Sequence, residues 1–151
     1  MKVVFNSATK PSDVDSSLWL DWIWQLRASL KSEQDFLTHF ELTTEELKAF
    51  QQKRHQTTGS AEIFNIRTTP YYASLASKTH SLDPIRRILM PHEKELFDVK
   101  QSQLDPLGER KKNNHPTSRI IHRYSDRVLF LITDICSVYC RYCTRKHFTG
   151  S

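Results

Sequence analysis

Residues 128–143 read VLFLITDICSVYCRYC, and this stretch decides the fold of the chain. Its first part, Val128 to Thr133, is a continuous apolar run rich in β-formers, which is typical of a strand buried on both faces of a parallel sheet. Parallel strands are joined by crossovers of about a dozen residues or more, whereas the chain ends at residue 151, eighteen residues after Thr133. The sequence therefore predicts an α/β fold of which the chain holds the opening strand and the loop behind it.

The chain before that strand is predicted to be mostly helical. Residues 43–46, TTEE, fit a capping box at the start of one helix. Asp83 and Pro84 predict the start of another, which ends near Met90 because Pro91 disfavours helical geometry in the residue before it. An earlier helix is predicted, with one side facing the core or another subunit, from an apolar stripe at helical spacing: Trp19, Trp22, Ile23, Leu26 and Leu30.

The predicted helices and the predicted strand divide the chain into two regions. Residues 1–118 are predicted to form an N-terminal helical region with a connecting loop, including short helices at residues 71–78 and 92–100. Residues 119–151 are predicted to be the truncated start of a second domain. A length of 151 residues suits one ordinary domain, so the expected division points to a fragment of a longer protein.

Charge and hydropathy narrow the class of protein. Mean hydropathy is −0.57, and no apolar run approaches the roughly 18 residues of a membrane-spanning helix. The N-terminus turns polar too early for a secretory signal, so a cytoplasmic location without a membrane partner is expected. From Arg110 onward, nine Lys and Arg against two Asp and Glu give +7, while the whole chain carries +5. This basic end is expected to attract anions such as phosphate, carboxylate or nucleic acid.

All three cysteines lie in the basic end, in the pattern C-x3-C-x2-C: Cys136, Cys140 and Cys143. An odd number of cysteines within eight residues is a poor disulfide framework and indicates metal or cluster ligation. Three thiolates on a four-iron four-sulfur cluster leave one iron open, where a small molecule with an amine and a carboxylate can bind.

Two other interpretations of the cysteines stay open. His147, four residues after Cys143, could complete a Cys3His zinc site, in a non-enzymatic zinc-binding or nucleic-acid-binding module. The cysteines could also be structural thiols, but the neighbouring positive charges of Arg141, Arg145 and Lys146 are expected to favour thiolate.

A cysteine loop of this spacing directly after a first strand is the signature of radical S-adenosylmethionine (radical SAM) enzymes. Their partial (β/α) barrel, like TIM-type folds, places its chemistry at the C-terminal end of the strands. More specifically, residues 17–150 resemble the N-terminal part of the lysine 2,3-aminomutase family. The resemblance rests on separated motifs in one order: WLDWIWQ (19–25), TPYY (69–72), PIRR (84–87), DPLGE (105–109), HRYSDR (122–127) and CTRKHFTG (143–150).

The resemblance implies an isomerase that interconverts an α-amino acid and its β-amino isomer by a radical 1,2-amino shift. The implied cofactors are a 4Fe-4S cluster on Cys136, Cys140 and Cys143, S-adenosyl-L-methionine, and pyridoxal 5′-phosphate (PLP). Cofactors supply the difficult chemistry in such enzymes, and the protein holds and shields them. The implied fold is an N-terminal helical region followed by the start of an incomplete radical SAM barrel.

The resemblance also assigns roles to basic residues. Arg145 matches the arginine that grips the substrate carboxylate, a contact that suits a planar guanidinium; its alternative is a solvated loop charge. Arg123 and Arg127 match arginines that approach PLP, with a rim salt bridge to Asp126 as the alternative. Tyr124 is a candidate to line the same pocket, against ordinary packing.

Two departures weaken the assignment to lysine itself, since Tyr142 and Ser125 stand where lysine aminomutases often have histidine and proline. In the family, the lysine that binds PLP and the residues that bind the distal amine of the substrate lie further along the chain, beyond the position that matches residue 151. No catalytic residue is therefore expected here, and residues 1–151 alone are expected to be inactive.

The nearest alternative enzyme is the one that adds β-lysine to translation elongation factor P, which shares the cysteine loop and cofactors. The tryptophan-rich helix and the TPYY motif favour the mutase that acts on a free amino acid. Nucleic acid is not favoured as a partner, and the N-terminal helices are candidates for contacts in a homo-oligomer.

Overall fold

The computed structural model describes residues 8–55, 65–96, 105, 107–111, 114 and 117–150. The chain divides into two compact units. The helical unit comprises Met1–Phe97 together with Ser137–Tyr142, and the hairpin unit comprises Asp98–Cys136 together with Cys143–Ser151. The domain boundary between residues 118 and 119 stays a prediction.

Helices dominate the helical unit. Its helices are α1 (Ser16–Leu20), α2 (Trp22–Arg27), α3 (Glu33–His39), α4 (Thr44–His55), α5 (Pro70–Ser74) and α6 (Pro84–Leu89), followed by a 3₁₀ helix at Glu93–Leu96. None of the helices in the described part of the chain has the length and apolar character needed to cross a membrane.

The predicted first helix is in fact two helices that break at Asp21. The Asp21 backbone is extended, its N–H closes α1 on the Leu18 carbonyl, and its side chain accepts from the Ile23 N–H to cap α2. Because the break changes which residues face inward, Trp19 is buried whereas Trp22 is 69% exposed. The continuous apolar stripe predicted from residue 19 to residue 30 is therefore wrong at Trp22 and at Ile23, which is also exposed, and Leu30 lies beyond the end of α2.

The capping residues in the sequence predicted the starts of α4 and α6 correctly. The predicted capping box is confirmed, since the Thr43 N–H donates to Glu46 Oε2 at 2.8 Å and the Glu46 N–H to Thr43 Oγ1 at 3.2 Å. Asp83 caps α6 by accepting from the Arg86 N–H at 2.8 Å, and the helix ends before Pro91 as predicted.

Other helices differ from the sequence prediction. The helix expected at residues 71–78 is shorter, Pro70–Ser74, and the one expected at 92–100 is a 3₁₀ helix at Glu93–Leu96, with residues 97–100 outside the described residues. Helix α3 was not predicted, although Ser32 and Asp35 form a second capping box that signals its start.

The core of the helical unit is aromatic and aliphatic, and it contains a buried ion pair. The rings of Phe36 and Phe50 lie 5.3 Å apart between centroids, among buried residues that include Leu30, Leu89 and Met90. Arg86 is fully buried, at 0% exposure. Its guanidinium donates to both carboxylate oxygens of Glu46, at 2.9 and 2.7 Å, and to the carbonyls of Glu41, Ser77 and Lys78. These bonds compensate the cost of burying the charge and join α4 to α6.

In the hairpin unit, β1 (Ile120–Tyr124) pairs antiparallel with β2 (Arg127–Phe130). The strand expected at Val128–Thr133 is therefore wrong in extent, and its observed neighbour is antiparallel; burial on both faces of a parallel sheet stays a prediction. Val128 and Ile132 are exposed, and Phe130 is 60% exposed. Burial on two faces needs neighbouring strands and covering helices, and in the described residues the partner of β2 is β1. The partial barrel stays a prediction.

Candidate functional site

The three predicted cluster ligands are thiols rather than disulfides. Cys136 is exposed, and Cys140 and Cys143 are half-buried. Cys140 belongs to the helical unit, and the other two belong to the hairpin unit. Within the described ranges, no three His, Cys, Asp or Glu side chains are grouped so that they could hold a metal ion. The chemistry of the donors fits an iron–sulfur cluster, and ligation by these residues stays a prediction.

The segment that carries Cys140 is firmly attached to the helical unit. The Thr69 N–H donates to the Ser137 carbonyl at 2.9 Å, and the Tyr139 N–H donates to the Arg67 carbonyl at 2.8 Å. Between these bonds, Thr68 forms a β-bridge with Val138. Residues 137–139 are therefore bound to residues 67–69 by two backbone hydrogen bonds and an isolated β-bridge.

Residues 67–69 are themselves fixed from their other side. Thr68 is fully buried and exchanges backbone hydrogen bonds of 2.8 and 3.1 Å with Leu30. The Arg67 guanidinium donates to the Leu26 carbonyl at 3.0 Å and lies 6.0 Å from the centre of the Tyr139 ring. The TPYY motif at 69–72 begins at Thr69, so its first residue belongs to the segment that binds residues 137–139.

Tyr72, in the same motif, is close to Cys140. Burial raises the pKa of the Tyr72 phenol, and Cys140 and Tyr142 raise it further. Tyr142, at the position where the family often has histidine, is itself exposed.

Arg145, predicted to bind a substrate carboxylate, is already paired with a carboxylate of its own chain. Its Nε donates to Glu109 Oε2 at 3.2 Å and its Nη2 to Glu109 Oε1 at 2.9 Å. The hydrogen bond to Glu109 raises the pKa of the Arg145 guanidinium, burial opposes this, and the charges of Glu109, Cys143 and Tyr124 add to the rise. The Arg145 side chain is also 46% exposed, so the substrate contact and its alternative, a solvated loop charge, both stay predictions.

A turn in the DPLGE motif places Glu109. The Gly108 backbone has φ +65°, a left-handed conformation that favours glycine. The Asp105 side chain accepts from the N–H groups of Glu109 and Arg110, each at 3.0 Å. The sequence predicted only a connecting loop before residue 119, because the partner of Glu109 lies 36 residues away.

The three residues predicted to approach PLP are together in the hairpin unit. The guanidinium carbons of Arg123 and Arg127 each lie 5.4 Å from the centre of the Tyr124 ring. Arg127 also forms the exposed salt bridge to Asp126 that was its alternative, at 2.9 Å. Two cations around one exposed phenol can attract an anion, and their role toward PLP stays a prediction.

The cysteine loop is less electropositive than its sequence suggests. Arg141 and Arg145, two of the three cations expected to favour thiolate, pair with Glu95 and Glu109. His147, the alternative zinc ligand, has its Nδ1 3.5 Å from Nη1 of Arg110.

Comparisons with known proteins show the family. No family model matches the chain. The chain is 37% identical over 139 residues to an L-lysine 2,3-aminomutase of Fusobacterium nucleatum, which covers 92% of this chain and 31% of that protein. It is 37% identical over 138 residues to one of Bacillus subtilis, covering 91% of this chain and 27% of that protein. It is 32% identical over 132 residues to a glutamate 2,3-aminomutase of Clostridioides difficile, covering 87% and 29%.

All three relatives are named as aminomutases, which are isomerases. The chain spans only 27–31% of the length of these relatives, and the aligned region covers about nine-tenths of the chain itself. By this similarity along nearly its whole length, the chain belongs to the lysine 2,3-aminomutase family.

Proposed function

We propose that the chain is part of a radical SAM, PLP-dependent amino-acid 2,3-aminomutase whose first candidate substrate is free L-lysine. The similarity to several relatives named L-lysine 2,3-aminomutase carries the proposal. The C-x3-C-x2-C pattern supports it, because three thiol ligands suit a cluster with one open iron. Activity belongs to the whole enzyme, and residues 1–151 alone are proposed to have none.

Cys136, Cys140 and Cys143 are the proposed ligands of the cluster. Bound cluster, S-adenosylmethionine and PLP supply radical formation and carry the migrating amino group, which side chains alone cannot do. The contribution of this chain is to hold three thiolates at fixed spacing and to keep the segment between them in place. The backbone bonds of Ser137 and Tyr139 to Thr69 and Arg67 serve this second task.

Arg145 is the proposed contact for the substrate carboxylate. Its side chain is 46% exposed, whereas the Glu109 side chain is 6% exposed. Glu109 holds the guanidinium through Nε and Nη2, so the exposed part of the same group keeps a fixed orientation. A guanidinium fixed in this way binds a second carboxylate with less loss of side-chain freedom.

Arg123, Tyr124 and Arg127 are the proposed contacts for PLP. The two guanidinium groups flank the phenol, and both are exposed to solvent. Charge-assisted hydrogen bonds to phosphate are among the stronger polar contacts in proteins. The salt bridge of Arg127 to Asp126 is exposed and therefore weak enough to yield to a phosphate.

Anaerobic reconstitution with iron and sulfide tests the cluster directly. The 151-residue protein is expected to take up about four iron and four sulfide and to turn brown, while the variant with all three cysteines changed to serine is expected to stay colourless. A colourless protein that binds one zinc, and loses it in His147→Ala, contradicts the cluster and supports the zinc module. Strongly salt-dependent binding of DNA supports the nucleic-acid version of that module.

The whole enzyme tests the substrate. Formation of the β-isomer from L-lysine, and not from L-glutamate, is expected. The relatives carry both substrate names, so turnover of glutamate alone overturns lysine as the substrate but leaves the mutase. Modification of elongation factor P without turnover of any free amino acid overturns the mutase in favour of the alternative enzyme.

A further inference from the structure

Arg141 lies between two proposed cluster ligands, yet its side chain is only 7% exposed. Its Nε donates to Glu95 Oε1 at 3.0 Å, and its Nη2 also contacts Glu95 Oε2, so the pair is bidentate. Its Nη1 donates to the carbonyl of Asn65 at 3.0 Å. A loop arginine that served only to provide positive charge would remain in water, where its solvation is most favourable.

Glu95 is held in place by the backbone of its own turn. Its Oε1 accepts from the His92 N–H at 3.0 Å, at the start of the 3₁₀ helix Glu93–Leu96. Pro91, just before this turn, is fully buried. The Glu95 carboxylate that pairs with Arg141 is therefore positioned by a short turn, and the residue before this turn is buried in the helical unit.

The backbone of Arg141 is attached as well. Its N–H donates to the carbonyl of Ile88 at 3.0 Å, near the end of α6. Helix α6 is fixed in turn by the buried pair between Arg86 and Glu46. Both the main chain and the side chain of Arg141 are thus attached to the helical unit, one residue after Cys140.

We propose that Arg141 and Glu95 are positioning residues that hold Cys140 in place as a ligand of the cluster. The inference rests on the proposed cluster and adds to it the residues that orient one ligand. Metal ligands function only within about 0.5 Å of the required position, and residues behind the ligands commonly decide how well the metal is held. The attachment at Ser137 and Tyr139 fixes the chain before Cys140, and Arg141 fixes it immediately after.

The experiment compares two charge-removing variants of the 151-residue protein. Glu95→Gln removes the charge of the pair with Arg141 while keeping the shape of the side chain. Asp15→Asn makes the same kind of change at the exposed carboxylate that caps α1 in the same unit, and it serves as the control. Each protein is reconstituted anaerobically with iron and sulfide, and the rate at which an iron chelator removes the cluster is measured.

Cluster loss is expected to be about 10-fold faster in Glu95→Gln than in the original protein. In Asp15→Asn it is expected to stay within about 2-fold, because the Asp15 side chain bonds Ser17 at the start of α1 and not the Cys140 segment. The second readout is site-specific: alkylation of the cluster-free protein, followed by mass spectrometry, should show faster reaction at Cys140 and little change at Cys136 and Cys143. A purely structural role would not single out Cys140.

Arg141→Lys keeps the charge but cannot form the two parallel bonds, and it is expected to behave like Glu95→Gln. It also replaces Glu95→Gln as the test variant if that protein does not fold. If the original protein takes up a cluster and both variants lose it no faster, with unchanged alkylation of Cys140, the positioning role is wrong while the cluster stands. If the original protein takes up no cluster, the proposed function fails and this inference fails with it.

Discussion

The guanidinium of Arg145 and the carboxylate of Glu109 lie edge to edge, with Nε 3.2 Å from Oε2 and Nη2 2.9 Å from Oε1. The two partners differ in environment, because the carboxylate is buried and the guanidinium is half-exposed. Loss of either partner therefore has unequal consequences. A half-exposed guanidinium can recover hydrogen bonds to water, whereas a buried carboxylate cannot.

This asymmetry makes a prediction about stability. Arg145→Ala leaves Glu109 buried without its partner and is expected to lower the free energy of unfolding by about 1–3 kcal/mol. Glu109→Gln is expected to lower the free energy of unfolding by less than Arg145→Ala. The variant that combines both changes is expected to lose less than the sum of the two single losses. Urea unfolding of the four proteins measures these differences. A larger loss in Glu109→Gln than in Arg145→Ala would contradict the assignment of Glu109 as the buried, dependent partner.

A second prediction concerns the buried Arg86. Arg86→Ala is expected to lower the free energy of unfolding by about 3–5 kcal/mol, because it leaves Glu46 charged and unpaired in the core. Arg86→Lys is expected to recover little, since an ammonium group cannot satisfy a carboxylate and three carbonyls in a planar fork. Arg87→Ala, next to it on α6 and less buried, is the control and is expected to change stability by under about 0.5 kcal/mol. Equal losses at the two arginines would show that Arg86 does not support the core.

Arg86 and Arg141 also show where sequence patterns stop being informative. Helix starts at Thr43 and Asp83 were predictable, because the residues that form a cap lie within three positions of each other. Arg86 pairs with Glu46, which lies 40 residues earlier in the sequence, and Arg141 pairs with Glu95, which lies 46 residues earlier. No local pattern distinguishes such an arginine from a solvated one, since the partner is brought near only by the fold.

The same reasoning explains why two apolar segments are exposed in the described residues. Trp22 has the spacing of a core residue, but Asp21 ends one helix and begins another, so the spacing no longer describes a single face. Phe130 lies in a run whose composition is typical of a buried strand, and burial depends on covering elements that the described residues do not supply. The cysteine spacing predicts a cluster without knowledge of the fold, because the identity of a ligand is local, and that chemistry stays a prediction. The anchoring of the segment between the cysteines could not be predicted, because its partners, such as Arg67 and Glu95, are distant in the sequence.

A third prediction follows from the capping box of α3. The N–H groups of Lys31 and Ser32 donate to Asp35 Oδ2 at 2.8 and 2.9 Å, and these bonds, that of Lys31 first, lower the pKa of Asp35. A lowered pKa in the folded state contributes stability above the usual carboxyl pKa of about 4, and this contribution is lost as the pH falls through the folded value. Asp35→Asn is expected to remove that part of the acid dependence, and Ser32→Ala to cost about 1 kcal/mol. Thermal unfolding between neutral and acidic pH measures both, and an unchanged acid dependence in Asp35→Asn would exclude this role.

A fourth prediction concerns Tyr72 at alkaline pH. Burial, with Cys140 and Tyr142 adding to it, raises the pKa of its phenol above the usual value of about 10. The folded state therefore keeps the proton longer than the unfolded state, so stability is retained below pH 10 and declines as the pH rises toward the folded value. The difference in phenolate absorbance between the protein and Tyr72→Phe should titrate above the usual phenol value of about 10. Blocking Cys140 with an uncharged alkyl group should lower the Tyr72 pKa, whereas blocking Cys136 should leave it unchanged.

The last prediction concerns the exposed apolar residues of the hairpin. Val128 and Phe130 project from the same face of β2, since side chains alternate along a strand, and both are exposed. Exposed apolar strands readily pair with other chains, so the 151-residue protein is expected to self-associate as its concentration rises. Phe130→Ser combined with Val128→Thr should shift association to higher concentration in sedimentation measurements. Leu20→Ser, at an exposed apolar position on α1, tests the predicted oligomer contact through the N-terminal helices, and if it alone abolishes association, the helices rather than the hairpin form the contact.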